Sequence, residues 1–154
     1  TLFTGADGAF APCTAQACIE ILDHYGIEIA GRRALVIGRS LVIGKPVAML
    51  LLERNATVTI AHSRTADLEE LAREADIVVA CVGHAAMVGA DHVAPGQTLI
   101  DVGKVADDGS LVGDIAFDEV VDVVDAVTPV PRGVGSVTTS VLCKHVVQAA
   151  EMMM

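Results

Sequence analysis

Three short, mostly apolar runs that each end in glycine constrain this chain more than any other feature. They are Ala34-Leu35-Val36-Ile37-Gly38, Asp76-Ile77-Val78-Val79-Ala80-Cys81-Val82-Gly83 and Leu99-Ile100-Asp101-Val102-Gly103. Runs this short do not make a typical helix. They also lack the alternation of a strand with one wet face, so they suit strands buried on both faces, as in a parallel sheet. Glycine at the ends of such strands, with no Cβ in the way, lets another molecule come close to the backbone. Thr57-Val58-Thr59-Ile60-Ala61 reads as a further strand.

Helical patterns separate these strands. Thr14 is placed to cap a first helix, with Cys18, Ile19, Leu22 and Tyr25 on one face and Gly26 as its stop. Pro46 fits the first turn of a second helix whose apolar face is Val47 to Leu52, and Asn55 ends it. Thr65 opens a third, with Leu68, Leu71 and Ala72 inward. Residues 84–97 read as a loop with a short helical turn, closed by Pro95-Gly96. Asp107-Asp108-Gly109 marks a turn, with local pairing open at Leu111 to Ile115. Val120 to Val127 leaves helix and strand both open. Ser136 opens a last helix with Val137, Val141, Leu142, Val146 and Ala149 inward.

Strand and helix in alternation predict an α/β fold, a Rossmann-like doubly wound parallel sheet with helices on both faces. Residues 31–154 form the sheet domain in this reading. Residues 1–30, a loop and a crossing helix, read as an interdomain region, since alone that helix is expected to expose Ile19 and Leu22.

Composition narrows the function. Ten basic against twenty acidic residues give a net charge of −10, which disfavours nucleic acid and anionic membrane surfaces. Aromatic residues are 3 %, too few for base-stacking platforms. No apolar run approaches the ~20 residues of a membrane span. The N-terminal Thr-Leu-Phe-Thr-Gly has neither basic flank nor apolar core of a signal peptide. A cytoplasmic location is expected. Cys13, Cys18, Cys81 and Cys143 contain no C-x-x-C pair and read as buried, reduced thiols.

The first strand leads into Gly38-Arg39-Ser40-Leu41-Val42-Ile43-Gly44-Lys45-Pro46. A turn from a buried strand into a helix favours an anion at the helix N-terminus. A nucleotide P-loop is disfavoured, because five residues separate the glycines and Pro46 stands where Ser or Thr would bind magnesium. A dinucleotide site fits the context, although Ser40 takes the place of the second glycine of G-x-G-x-x-G. Glycines that merely make tight turns are the bland alternative.

The end of the second strand selects among dinucleotides. An NAD site usually has Asp or Glu there for the ribose hydroxyls. Here the chain reads Ala61-His62-Ser63-Arg64-Thr65, with no acid, and Arg39 lies on the adjoining loop. Two guanidinium groups suit a phosphate dianion, so NADP is expected over NAD. A solvated basic loop is the bland reading of Arg64.

Taken jointly, several segments carry a resemblance. They are Pro12-Cys13-Thr14, Gly38-Arg39-Ser40 with Gly44 and Pro46, Asn55-Ala56-Thr57-Val58-Thr59, and His62-Ser63-Arg64-Thr65. Asp101-Val102-Gly103, Gly113-Asp114, Thr128-Pro129-Val130-Pro131, Gly133-Val134-Gly135 and Thr138 continue it. From about residue 12 to 150 the chain resembles the cofactor-binding half of the bifunctional methylenetetrahydrofolate dehydrogenase/methenyltetrahydrofolate cyclohydrolase family.

The resemblance implies a homodimeric two-domain enzyme that oxidises a folate-bound methylene group with NADP and hydrolyses the methenyl product to formyltetrahydrofolate. It assigns Gly38, Arg39, Ser40, Gly44, Ser63, Arg64 and Thr65 to the cofactor. Gly83, Gly103 and Thr138 lie beside it in the same scheme, and Pro131, Gly133 and Gly135 border the folate cleft.

The family's Tyr-x-x-x-Lys motif and the Asp of its Asp-Gly pair belong to a domain preceding this segment, through which folate is engaged. Tyr25 is followed four residues later by Ile29, and Asp7-Gly8 falls too late to match that pair. Ala15 and Ala17 replace the Pro and Gly of Pro-Cys-Thr-Pro-x-Gly. Lys104-Val105 replaces Ile-Asn, and Arg132 replaces the first glycine of a Gly-Gly pair. His62, His84, His92, Lys144 and His145 are weak candidates for proton transfer. The expectation is a catalytically incomplete NADP-binding portion of that enzyme. A free-standing NADP-binding module is the alternative.

Overall fold

In the computed structural model, residues 10–154 are described; Asp7-Gly8 and the rest of residues 1–9 lie outside them. Five parallel strands form the sheet: β1 (Arg33–Ile37), β2 (Thr57–Ala61), β3 (Ile77–Ala80), β4 (Thr98–Asp101) and β7 (Ala126–Val127). Their order is β2-β1-β3-β4-β7. All four pairings are parallel. Between β4 and β7 the chain makes a small antiparallel hairpin, β5 (Lys104–Val105) with β6 (Leu111–Val112). Its turn passes through Gly109, whose φ of 82° favours glycine.

The apolar runs divide by parity, as the pleat requires. Ala34, Val36, Ile77, Val79 and Ile100 face one core with α1 (Cys13–His24), α2 (Gly44–Glu53) and α5 (Val134–Met152). Leu35, Ile37, Val78, Ala80 and Leu99 face the other. There α3 (Leu68–Glu74) and the short α4 (Phe117–Val120) supply Ala72 and Val120. The doubly wound sheet with helices on both faces is therefore the observed architecture.

Several expectations are corrected. Ile19 and Leu22 are 3 % and 0 % exposed, so α1 buries its apolar stripe here, against α5 and α2. Pro12, not Thr14, is the residue before α1. The helix ends as expected at Gly26. Gly26 N–H donates to Asp23 O and Ile27 N–H to Leu22 O, closing a Schellman turn. Thr65 does not cap α3; Asp67 stands there in a left-handed conformation. The last helix begins at Val134 rather than Ser136 and exposes Leu142 and Val146. Of its expected inward residues only Val141 is fully buried. Val120 to Val127 resolves into the end of α4, a turn and β7. All four cysteines are free, but only Cys18 is fully buried and Cys143 is exposed.

Candidate functional site

The strand order reverses between β1 and β3, because the chain leaves β1 for β2 on one side and returns to β3 on the other. In open α/β sheets such a reversal leaves a crevice outside the carboxyl ends of the strands. Gly38-Arg39-Ser40 leaves β1 on one side of it, and Cys81-Val82-Gly83 leaves β3 on the other. Gly38 N–H donates to Ala61 O and Cys81 N–H to Ile37 O, so both loops continue the ladder before turning away.

Sterics fix the first loop. A Cβ on Gly38 would lie 2.7 Å from Cys81 O and 2.8 Å from Cys81 Sγ, and φ there is 132°. A Cβ on Gly44 would collide with the carbonyl of Gly38. The two glycines thus let the turn close on itself and on β3. Ser40 sits at the entrance to α2. Its Oγ accepts from Ile43 N–H at 3.1 Å and Gly44 N–H at 3.3 Å, and its carbonyl accepts from Lys45 N–H. The hydroxyl proton stays available to donate outward, toward an anion at the helix N-terminus.

The turn after β2 is stapled by its own side chains. His62 N–H donates to Thr65 Oγ1 at 2.8 Å, Arg64 N–H donates to His62 Nδ1 at 3.2 Å, and Thr65 N–H donates to His62 O. His62 Nδ1 is therefore the acceptor within this turn. His62 and Thr65 hold the turn, while Ser63 and Arg64 are exposed at its tip. Arg39 is exposed as well, and neither guanidinium has an ion-pair partner among the described residues.

The far side of the crevice rests on two carboxylates that sequence reasoning did not single out for this role. Asp101 and Asp114 are 3 % and 1 % exposed. Asp114 Oδ2 accepts from Val82 N–H at 2.7 Å and Gly83 N–H at 3.0 Å. Asp101 accepts from Gly103 and Asp114 N–H through Oδ1 and from Ile115 N–H through Oδ2. Burial raises the Asp101 carboxyl above its ordinary range, against the pull of those three N–H donors. A charge inside the run Leu99-Ile100-Asp101-Val102 was the available signal, since a buried acid must find donors.

The remaining candidates lie apart from this constellation or beside it. Gly103 has φ 70°, and a Cβ there would lie 3.1 Å from the Val130 side chain, so the Val130–Pro131 loop adjoins the end of β4. Gly133 is needed locally, because a Cβ would strike Pro129 O. Gly135 meets nothing. The Thr138 hydroxyl donates to Val134 O within α5. Elsewhere, His92 Nδ1 accepts from Gly89 N–H, His84 is on an exposed loop, and Lys144 pairs with Glu20 on the helical layer. His145 packs near Phe10 and Cys13. An open groove of about 1170 Å³ runs beside α1, β4 and β7 and shares only Gly133 with the candidate residues.

With this geometry in place, comparison with known proteins is decisive. Residues 12–154 match the tetrahydrofolate dehydrogenase/cyclohydrolase NAD(P)-binding domain family. The chain belongs to this family. It is 56 % identical over 155 residues to the bifunctional protein FolD of Carboxydothermus hydrogenoformans, covering 99 % of this chain and 54 % of that protein. It is 57 % identical over 142 residues to the FolD protein of a Parafrankia species, covering 92 % and 52 %. The chain thus spans about half the length of the curated relatives it matches. Among solved structures, the bifunctional FolD enzyme of Campylobacter jejuni superposes with a TM-score of 0.94 at 35 % identity, over 99 % of this chain and 55 % of that one. The Trypanosoma brucei FolD protein, complexed with NADP and inhibitor, gives 0.84 at 39 % identity, over 94 % and 52 %. Among the described residues no helix is long and apolar enough to cross a membrane.

Proposed function

We propose that this chain is the NADP-binding portion of a bifunctional enzyme that oxidises methylenetetrahydrofolate to methenyltetrahydrofolate and hydrolyses that product to formyltetrahydrofolate. One observation carries the cofactor choice. The turn after β2, which in an NAD site presents an acid to the ribose, here presents Ser63 and Arg64, with Arg39 exposed on the next loop. Two exposed guanidinium forks suit a ribose phosphate. The NADP complex of the Trypanosoma brucei relative supports the same choice.

The residues divide the work. Gly38 and Gly44 let the turn after β1 close into the shape that receives the cofactor pyrophosphate, and Ser40 donates to it. Ser63, Arg64 and Arg39 hold the adenosine phosphate, with Thr65 fixing their turn. Gly83 and Gly103 leave room for the nicotinamide half, with Thr138 alongside. When bound, NADP supplies hydride acceptance; the protein supplies placement and excludes water. Pro131, Gly133 and Gly135 border the folate side.

Cyclohydrolysis needs proton transfer, and this sequence contains no Tyr-x-x-x-Lys, its single tyrosine being Tyr25. The folate-binding part of the whole protein supplies that chemistry in this reading, with residues 1–30 assigned to the interdomain region, and the enzyme works as a cytoplasmic homodimer. A second reading, a free-standing NADP-binding module, draws on the burial of α1 within this body. Assay of the purified chain with methylenetetrahydrofolate and NADP tests catalytic incompleteness. Negligible turnover is expected, and sustained turnover by the chain alone contradicts it.

A further inference from the structure

We propose that Asp114 and Asp101 are positioning residues that shape the nicotinamide half of the dinucleotide site. This rests on the dinucleotide reading above and extends it to residues that touch no ligand. Neighbouring strands lie about 4.8 Å apart. A dinucleotide held at the β2 turn and over the β1–α2 turn must therefore run on across the ends of β3 and β4. Those ends are Gly83 and Gly103, with φ of 79° and 70°.

Each of these glycines donates its N–H to a buried carboxylate, Gly83 to Asp114 and Gly103 to Asp101. The two carboxylates are chained, because Asp114 N–H donates to Asp101 Oδ1 at 2.9 Å. The chain continues to the loop bordering the folate side, since Asp101 N–H donates to Thr128 Oγ1 at 2.8 Å. Gly113 belongs to the device too, for a Cβ there would overlap Asp101 Oδ2. The two carboxylates thereby tie the β3 and β4 ends to each other, and the Thr128 hydroxyl ties the loop after β7 to the β4 backbone.

Asp114 Oδ1 is buried and has no hydrogen-bond partner among the described residues. A carboxylate left half-satisfied is costly to bury. Its retention follows if Oδ2 is needed to hold two successive N–H groups where the chain turns from β3. Asparagine can do the same with its one oxygen, its NH₂ taking the unpartnered position; alanine cannot.

The test compares NADP with 2′,5′-ADP, which carries only the adenosine phosphates. Both are expected to bind the wild-type chain. Asp114→Ala is expected to weaken NADP about tenfold or more, to leave 2′,5′-ADP within about twofold, and Asp114→Asn to restore NADP. A purely structural role lowers the melting temperature and leaves both affinities alike, and that result overturns the inference, as does equal loss of both ligands in folded protein. Amide spectra of the unsubstituted chain provide a test independent of any variant's folding. NADP is expected to shift the Gly83 and Gly103 amides and 2′,5′-ADP to leave them, and identical shifts overturn the inference. A wild-type chain that binds neither ligand instead removes the dinucleotide reading, and this inference falls with it.

Discussion

Cys18 shows how burial alone sets chemistry at the scale of one residue. It is 0 % exposed, and desolvation pushes its thiol from 9.0 up to about 12. Cys81, beneath Gly38, is pushed up to about 12 for the same first reason, with Asp114 adding to it. Below the ordinary thiol value both states are protonated, so this stabilisation is fully present. Above it the unfolded chain ionises first, and stability is lost as pH rises through the folded value. Between pH 9 and 12 the Cys18 contribution falls steadily, because the unfolded thiol ionises there and the folded one does not. Melting curves at pH 8 and 10.5 should therefore differ less in Cys18→Ala than in the wild type; an unchanged difference contradicts the assignment. The sequence placed all four cysteines in apolar patterns and so read them as buried, which holds fully for Cys18 and fails for the exposed Cys143. Cys143 lies on the outer side of α5, and a helical pattern does not say which side a partner occupies.

Among the elements, α1 is the one whose place the sequence misjudged. Its stripe was plain, but the reading assigned the stripe to a surface outside this body. Two ion pairs tie α1 to its neighbours, Glu20 with Lys144 at 2.9 Å and Asp23 with Arg54 at 2.6 Å. Pairs this exposed contribute about 0–1 kcal/mol each, so burial of Cys18, Ile19 and Leu22 decides the docking. Leu22→Ala should cost about 2–5 kcal/mol in urea unfolding, and a loss below about 1 kcal/mol would place α1 outside the cooperative core. The central strands were legible because an unbroken apolar run has few other uses. Residues 120–127 were not, since a four-residue helix and a two-residue strand are too short to show a period.

For the whole molecule, the sheet brings together what the sequence scattered. The Gly38 turn, the His62–Thr65 turn, Gly83 and Gly103 all lie at carboxyl ends of parallel strands, which follows from alternating strands and helices once the order is known. The strand-end glycines and the missing acid after β2 were readable, because each is a local departure from its surroundings. The carboxylates beneath them were not, because hydrogen bonds between residues 82–83 and 114 depend on tertiary pairing. We propose that this edge forms an NADP site from these residues alone. Calorimetric titration of the purified chain with NADP and NAD at one salt concentration tests it most directly. NADP is expected to bind tighter than NAD by about tenfold or more, with the preference lost when Arg39 and Arg64 are both replaced by alanine. Equal affinity for the two cofactors, or a preference that survives without both arginines, contradicts it.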